Sequence, residues 1–324
     1  MTVFVALGIG AGLVSALLFA AMASGSIPAL LLMYLAPLPI LIVALGWHHL
    51  LGLLALASGG LATSLLLRPS AGLAFAIGPA LSAWILAYLT LLVRPQNVAG
   101  ATSADPWYPV GRLLLWIGFA GGLIALCSLV ASASGDYDRY REVLERTAGA
   151  VLRREARVGR SGPLPQTFGM AGADFVRFIV GLAPALLAGI LTLILSVNLW
   201  LAGKVVAISG RLARPWPDIA SARMPLAALA LAGAGLLFGQ LDGFTGVAGT
   251  ALAGGLLMAF ALQGLAVLHD VSRNRPGRGL ILSVAYFLTV VLGYVFLPAF
   301  ALLGIADTAL PLRSALGRVP PPST

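Results

Sequence analysis

Apolar residues run almost without pause from Thr2 to Leu303, broken only by short polar connections. A helix needs about 20 apolar residues to cross the hydrocarbon core of a bilayer. Stretches of that kind lie near 3–23, 27–45, 49–67, 71–93, 111–133, 175–203, 224–240, 244–268 and 279–303. They predict an all-α fold, a polytopic transmembrane helix bundle of about eight or nine spans, forming a single integral membrane domain over 1–324. The second stretch carries Pro28, Pro37 and Pro39. Its helix is therefore expected to be broken or partly re-entrant, which is tolerated only where protein or water satisfies the freed backbone groups. The seventh stretch is short for a span.

Three connections are long enough to hold structure of their own. Gln96 to Val110 contains Asp105-Pro106-Trp107-Tyr108-Pro109, and Lys204 to Arg223 contains Arg214-Pro215-Trp216-Pro217-Asp218. Their prolines oppose helix and their aromatics suit a membrane–water boundary. The third, 134–172, is a polar insertion between the fifth and sixth spans. Asp136 is placed to cap a helix there, Tyr140, Leu144, Thr147 and Val151 recur at helical spacing, and Glu142 stands four residues before Arg146. The pattern predicts an amphipathic interfacial helix, interrupted by Gly149 and ended by Ser161-Gly162-Pro163-Leu164-Pro165.

Composition agrees with this solvent. Of 324 residues, 60% are hydrophobic and 10% charged, and the mean hydropathy is +0.99, outside the range of soluble domains. The formal charge of +9 would suit nucleic acid if it were clustered. The basic residues instead sit in loops between apolar runs, as the positive-inside bias of membrane proteins places them, so the expected partner is the lipid bilayer and not nucleic acid. The expected location is a bacterial inner membrane. With nine spans, Arg94, Arg112, Lys204, Arg211, Arg214, Arg223, Arg273, Arg275 and Arg278 share one side, and the arginines of 134–172 take the other. One span fewer brings both clusters to one side. Ala21-Met22-Ala23 resembles a cleavage site, but no Lys or Arg precedes the first stretch, so a retained span is expected. Cys127 lies within an apolar run and reads as a small buried hydrophobe.

Catalytic signatures are lacking. Gly8-Ile9-Gly10-Ala11-Gly12 follows no strand, so a dinucleotide loop is excluded, and Asn198 with Val205 breaks the phosphate-loop pattern around Lys204. His48 and His49 are adjacent, about 100° apart on a helix, and do not form an i, i+4 metal pair. No metal or cofactor is expected, and no enzymatic activity. What the glycines form is small-residue stripes: Gly8, Gly12, Ala16 and Ala20; Gly72, Ala76 and Ala80; Gly235 and Gly239; Gly246, Thr250 and Gly254. Such faces let helices approach closely within a membrane.

Polar residues inside spans are costly without partners and are functional candidates. Asn198, Gln263, His269 and Asp270 are the candidate ligand-binding residues; Gln263 and Asp270, seven apart, share a helix face. Asp174 and Arg177 are spaced to pair with each other. Asp242 before Gly243 reads as a turn, and Asp307 and Arg313 are placed to pair locally or against another loop.

Arg214-Pro215-Trp216-Pro217-Asp218, Gln263-Gly264-Leu265-Ala266-Val267-Leu268-His269, and Gly304-Ile305-Ala306-Asp307 with Arg313 resemble the YybS-like family of bacterial membrane proteins, also known as domain of unknown function 2232. Leu35-Ala36-Pro37-Leu38-Pro39-Ile40 leading to Trp47-His48-His49 is similar to its N-terminal pattern, with histidines where the family has a more basic turn. The resemblance brings no activity with it. It implies a distant likeness to the substrate-binding subunits of energy-coupling factor vitamin transporters: a bundle of about six helices with a ligand cavity. In such a bundle, small residues on the first helices, here Gly8, Gly12 and Ala16, would meet a coupling partner. The extra spans and the 134–172 loop depart from that bundle.

Two functions are expected from these readings. The first is a transport-related protein that binds a small-molecule ligand within the bundle, has no ATPase of its own, and works with a membrane partner subunit or ATPase module. The second is a membrane scaffold that recruits a partner through 134–172. An intramembrane enzyme is the minor alternative.

Overall fold

A computed structural model of the chain describes residues 2–93, 106–157, 164, 166–167, 169–273, 275–310 and 312–313. Among them every regular element is helical, and the only β-pairings are isolated bridges at Val93–Trp107 and Thr167–Met170. Seven helical segments are long and apolar enough to cross a membrane: Thr2–Ser24, Ile27–Gly46, His49–Leu66, Pro69–Thr90, Val110–Ser132, Gly172–Ile208 and Gly243–Val271. They coincide with the first six and the eighth of the nine expected stretches. The seventh stretch is a 12-residue helix, α10 (Ala227–Phe238), and the ninth is two helices that break at Leu292. These are α12 (Arg278–Val291) and α13 (Gly293–Ala309). At about 1.5 Å per residue, α12 reaches about 21 Å, short of a bilayer core.

The first helix, α1 (Thr2–Ala20), packs on α4 (His49–Leu66). A Cβ on Gly12 would lie 2.4 Å from the Ala55 carbonyl oxygen, and Ala16 is fully buried. The stripe that would suit an external coupling partner is therefore occupied inside the chain, while Val3, Leu13 and Leu17 face outward. Between these helices the second segment is broken as its prolines require, into α2 (Ile27–Tyr34) and α3 (Pro37–Gly46). The fourth runs as α5 (Pro69–Phe75) and α6 (Leu81–Thr90), joined through a π-helical turn holding Pro79. Gly60 and Gly72 meet across the α4–α5 contact, with Ser64 over Gly72.

The C-terminal half gathers α7 (Val110–Ser132), α9 (Gly172–Ile208), α10 and α13 around α11 (Gly243–Val271), the most enclosed helix of the chain. Contacts are made at glycine on nearly every side. Gly118 and Gly122 of α7 lie on Gly255 and Ala251, Gly254 lies on Ala185 of α9, and Gly235 of α10 and Gly239 at its C-terminal end lie on Ala253 and Thr250. Gly246 lies under the Leu241 carbonyl at the tight turn where Gly243 takes φ 74°. Lipid tails provide no hydrophobic drive for helix association, so close backbone approach and its dispersion energy do the holding. With 37 residues, α9 is about 55 Å long, more than the bilayer and its headgroups together.

Helix α8 (Tyr137–Glu155) fills the polar insertion. Asp136 caps it, accepting from the backbone of Asp138 at 2.9 Å and Arg139 at 3.2 Å, and Glu142 pairs with Arg146. Its inner face differs from the predicted one. Tyr137, Tyr140, Leu144, Ala148 and Leu152 turn inward, whereas Thr147 and Val151 are exposed. The contact follows the i±4 ridge of side chains, which slants across the helix. Gly149 does not interrupt the helix; it is buried within it, 3.7 Å from Leu164 once a Cβ is placed there. Of the stretch expected to end this helix, all but Leu164 lies outside the described residues, as does Arg94.

The inner face of α8 closes on an aromatic cluster of Tyr137, Tyr140 and Phe244. The Tyr140 hydroxyl is buried without a hydrogen-bond partner, and burial, with Tyr137 nearby, pushes its pKa up to about 12. Tyr140→Phe is therefore expected to leave stability unchanged or raise it by about 1–2 kcal/mol, since it removes an unsatisfied polar group. A phenol with a raised folded pKa contributes stability below the unfolded value near 10 that is lost as pH rises toward 12. Thermal melts of the two proteins across pH 9–12 test this: the melting-temperature gap should widen in favour of phenylalanine.

Candidate functional site: a buried polar lock in the C-terminal half

The chain between α9 and α10 has no long helix, yet it is inserted between helices. Its one helical turn is Ile219–Ser221, and Arg214, Ala222 and Met224 are 2–3% exposed. Prolines 215, 217 and 225 explain why no helix forms. Irregular backbone among apolar helices must find partners for its N–H and C=O groups within the protein. For the Ala220 and Ala222 carbonyls and the Met224 N–H, side chains supply them.

Gln263 is central. It is fully buried, about two turns before the end of α11, where a leucine would be ordinary. Its Oε1 accepts from the Met224 backbone N–H at 2.8 Å. Its Nε2 lies 2.8 Å from Asp307 Oδ2, 3.0 Å from Thr308 Oγ1 and 3.1 Å from the Gly304 carbonyl. One amide thus ties the 217–224 strap, the irregular stretch before α10, to α13. Asp307, 1% exposed, also holds Arg313, whose Nε lies 3.0 Å from Oδ1 and whose Nη2 lies 2.9 Å from Oδ2. The same guanidinium donates to the carbonyls of Ala220 and Ala222, both at 2.5 Å. In return Arg223 of the strap donates to the carbonyls of Thr308 and Leu310, at 3.4 and 3.2 Å, capping the end of α13. The two segments clasp each other reciprocally.

An ionic chain continues outward. Asp270 lies 3.8 Å from Arg313 and 3.2 Å from Arg273, and Arg273 bonds Asp218 at 2.5 Å. That hydrogen bond, donated to the Asp218 carboxylate, raises the Arg273 pKa above its already high value, so the rim keeps its charge. Burial rises inward along this chain, from the rim pair Arg273–Asp218 to Asp307. The inner pair is the one whose loss matters energetically.

The four candidate ligand contacts are therefore not one open cluster. Gln263 and Asp270 belong to the same network but meet only through Asp307 and Arg313. His269 bonds the Tyr286 hydroxyl of α12 at 2.9 Å. Asn198 lies in a different contact altogether, between α9 and the broken second segment. There its Nδ2 donates to the Tyr34 carbonyl at 2.9 Å and to its own helix at Ile194, 2.8 Å. Leu38 N–H bonds Leu35 and not Tyr34, so the break frees the Tyr34 carbonyl and Asn198 takes it up. The Asn198 Oδ1 is left buried and unpaired.

Asn198→Ala is accordingly expected to cost about 1–3 kcal/mol for the bare Tyr34 carbonyl. Removal of the unpaired Oδ1 offsets part of this, which puts the net loss nearer ~1 kcal/mol. Thermal unfolding in detergent measures it, and a variant as stable as the parent would show that the break is held by packing alone.

Sequence reasoning missed what positions Gln263. Phe260-Ala261-Leu262-Gln263-Gly264 in α11 recurs as Phe300-Ala301-Leu302-Leu303-Gly304 in α13. Each glycine lies on the carbonyl of the other copy's phenylalanine: a Cβ on Gly264 would be 2.0 Å from Phe300 O, and one on Gly304 would be 2.1 Å from Phe260 O. The repeat was a readable signal. It brings the two backbones close enough for a glutamine side chain to bridge them. The strap is admitted in the same way at Gly111 of α7, where a Cβ would lie 1.7 Å from the Arg223 carbonyl.

Elsewhere the polar residues have local roles. His48 caps α4 through Nδ1, accepting from Leu50 N–H at 3.2 Å, and His49 meets the Tyr88 ring edge. Asp174 and Arg177 pair on the first turns of α9. Cys127 is exposed on α7 and not buried as its run suggests. Among the described residues no three His, Cys, Asp or Glu side chains come together as a metal site. Compared with protein-family models, curated proteins and solved structures, the chain matches none.

Proposed function

We propose that this chain is a non-enzymatic, transport-related protein of a bacterial inner membrane, binding a small solute among its helices and taking its energy from a membrane partner or an ion gradient. The observation that carries this reading is the discontinuity of its apolar segments. The second is broken at Tyr34–Pro37, the fourth carries a π turn, the last breaks at Leu292, and an irregular strap is buried beside Gln263. Within a membrane, such backbone occurs where protein or a solute pathway surrounds it, and broken helices recur at transporter binding sites. The family likeness to YybS-like proteins belongs to this proposal, as does a count of eight or nine spans in which α10 crosses beside α11.

The site assignment shifts accordingly. Gln263, Asp270 and Asn198 keep their place near the pathway, as the groups that hold its walls. Purification of the tagged protein from its own membrane in mild detergent, with mass spectrometry of co-purifying small molecules and proteins, tests the reading together with solute uptake in a deletion strain. A retained solute or ATPase subunits, with an uptake defect, is the expected result. Absence of all three would overturn it.

A second reading rests on α8, whose outward side carries Arg139, Arg141, Glu142 and Arg146 beside exposed Val143 and Val151. In that reading the helix lies at the membrane surface and recruits a partner. Deleting 134–172 should then remove co-purifying proteins while leaving insertion intact.

A further inference from the structure

The strap between α9 and α10 is fastened chiefly by side chains that reach it from α11 and from beyond α13. Its inner end is held by side-chain bonds to backbone groups: Arg313 on the carbonyls of Ala220 and Ala222, and Gln263 on the N–H of Met224. Its own regular structure is a single helical turn, Ile219–Ser221, closed by Ala222 N–H donating to the Ile219 carbonyl. Its outer end is a surface ion pair, Asp218–Arg273, of a kind worth little in stability. The outer part of the strap rests on aromatic and cationic contacts, Lys204 over the Trp216 ring at 4.0 Å and Arg214 to the Tyr108 carbonyl at 3.0 Å. The strap is thus buried at its inner end, Ala222 and Met224, and exposed at Asp218, Ile219 and Arg223, and one side chain beyond α13 makes two of the bonds that hold it.

We propose that 217–224 is a releasable strap that shuts water out of the C-terminal helix cluster, with Arg313 as its key. When Arg313 leaves Ala220 and Ala222, the strap can lift on the flanking prolines 215, 217 and 225 while α7, α11 and α13 stay packed through their glycines. The N–H of Met224, the Gln263 amide and the Asp307 carboxylate are then opened to water together. A polar chamber replaces a closed lock. The inference rests on the transport reading only for its purpose, as the gate of a solute path; the strap can be tested apart from any solute.

The test uses full-length protein in membranes, with Cys127→Ala removing the native thiol. Met224→Cys reports the strap and Ala251→Cys, fully buried on α11 away from the lock, reports the helix packing. Labelling by a water-soluble maleimide is followed in each, with and without Arg313→Lys, which keeps a charge beside Asp307 but loses the guanidinium fork that reaches both carbonyls. Met224→Cys should be nearly inert in the parent and react at least ~10-fold faster with Arg313→Lys, about 1.4 kcal/mol of easier opening, while Ala251→Cys stays inert. Met224→Cys remaining inert with Arg313→Lys overturns the proposal, and so does Ala251→Cys opening in step with it. Should Arg313→Lys fail to assemble, Arg223→Gln loosens the clasp from the strap side and is read by the same two outcomes. An uptake defect without a labelling change would leave the transport reading standing and remove the gate.

Discussion

Replacing Asp307 with asparagine is expected to lower the stability of the detergent-solubilised protein by about 3–5 kcal/mol, the cost of removing one partner from a buried ion pair. Asp307 is 1% exposed and the Arg313 side chain 17%, so solvent can take up little of the charge left behind. The guanidinium keeps its bonds to Ala220 and Ala222, which hold it in place without neutralising it. Gln263 is affected too, since the amide that replaces Oδ2 can turn a donor toward its Nε2. A double-mutant cycle with Arg313→Gln separates the terms: the second substitution should recover part of the loss, because the stranded cation is gone. A single-variant loss under ~1 kcal/mol would mean that water already reaches the pair.

Substituting leucine at Gly304 is expected to cost about 3 kcal/mol, the upper range of over-packing, and to part α11 from α13. The obstacle to its Cβ is the Phe260 carbonyl at 2.1 Å, followed by the Gly264 backbone nitrogen at 3.2 Å, and backbone in a packed helix cannot turn aside as a side chain can. The same substitution at Gly264 meets Phe300 O at 2.0 Å and should behave alike. Gly233 of α10 has nothing within 4 Å of a Cβ, so Gly233→Ala should be neutral or raise stability by up to about 1 kcal/mol through helix propensity. Melting temperatures followed by tryptophan fluorescence compare the three. Equal values would show that the Phe-Ala-Leu-x-Gly repeat is not a packing device.

These two effects concern one region because glycine packing and polar locking depend on each other there. Only a glycine at 264 and at 304 brings the backbones near enough for Gln263 to reach the Gly304 carbonyl and Asp307. Only a satisfied Gln263 permits the Met224 backbone to lie so deep. Polar groups in this setting stabilise when every partner is present and cost several kcal/mol when one is missing.

The helical class, the seven long apolar helices and the break in the second segment were legible along the chain, because each depends on local rules. Hydropathy over about 20 residues selects the solvent, and proline removes a donor wherever the chain folds. The Asp136 cap and the Glu142–Arg146 pair were legible for the same reason, being contacts within one helical turn. Which residues meet across helices was not. Gln263 and Asp270 looked like neighbours by their seven-residue spacing, yet Gln263 bonds Asp307 and Thr308, more than forty positions on. Thr147 and Val151 fitted the apolar stripe of α8, but the direction of the ridge it lays on α9 turned them outward. The Gly8–Gly12–Ala16 stripe announced close packing without naming its partner, which is α4. Sequence periodicity states what a helix face is made of. The partner of that face is decided by the crossing of whole helices, which depends on all of them at once.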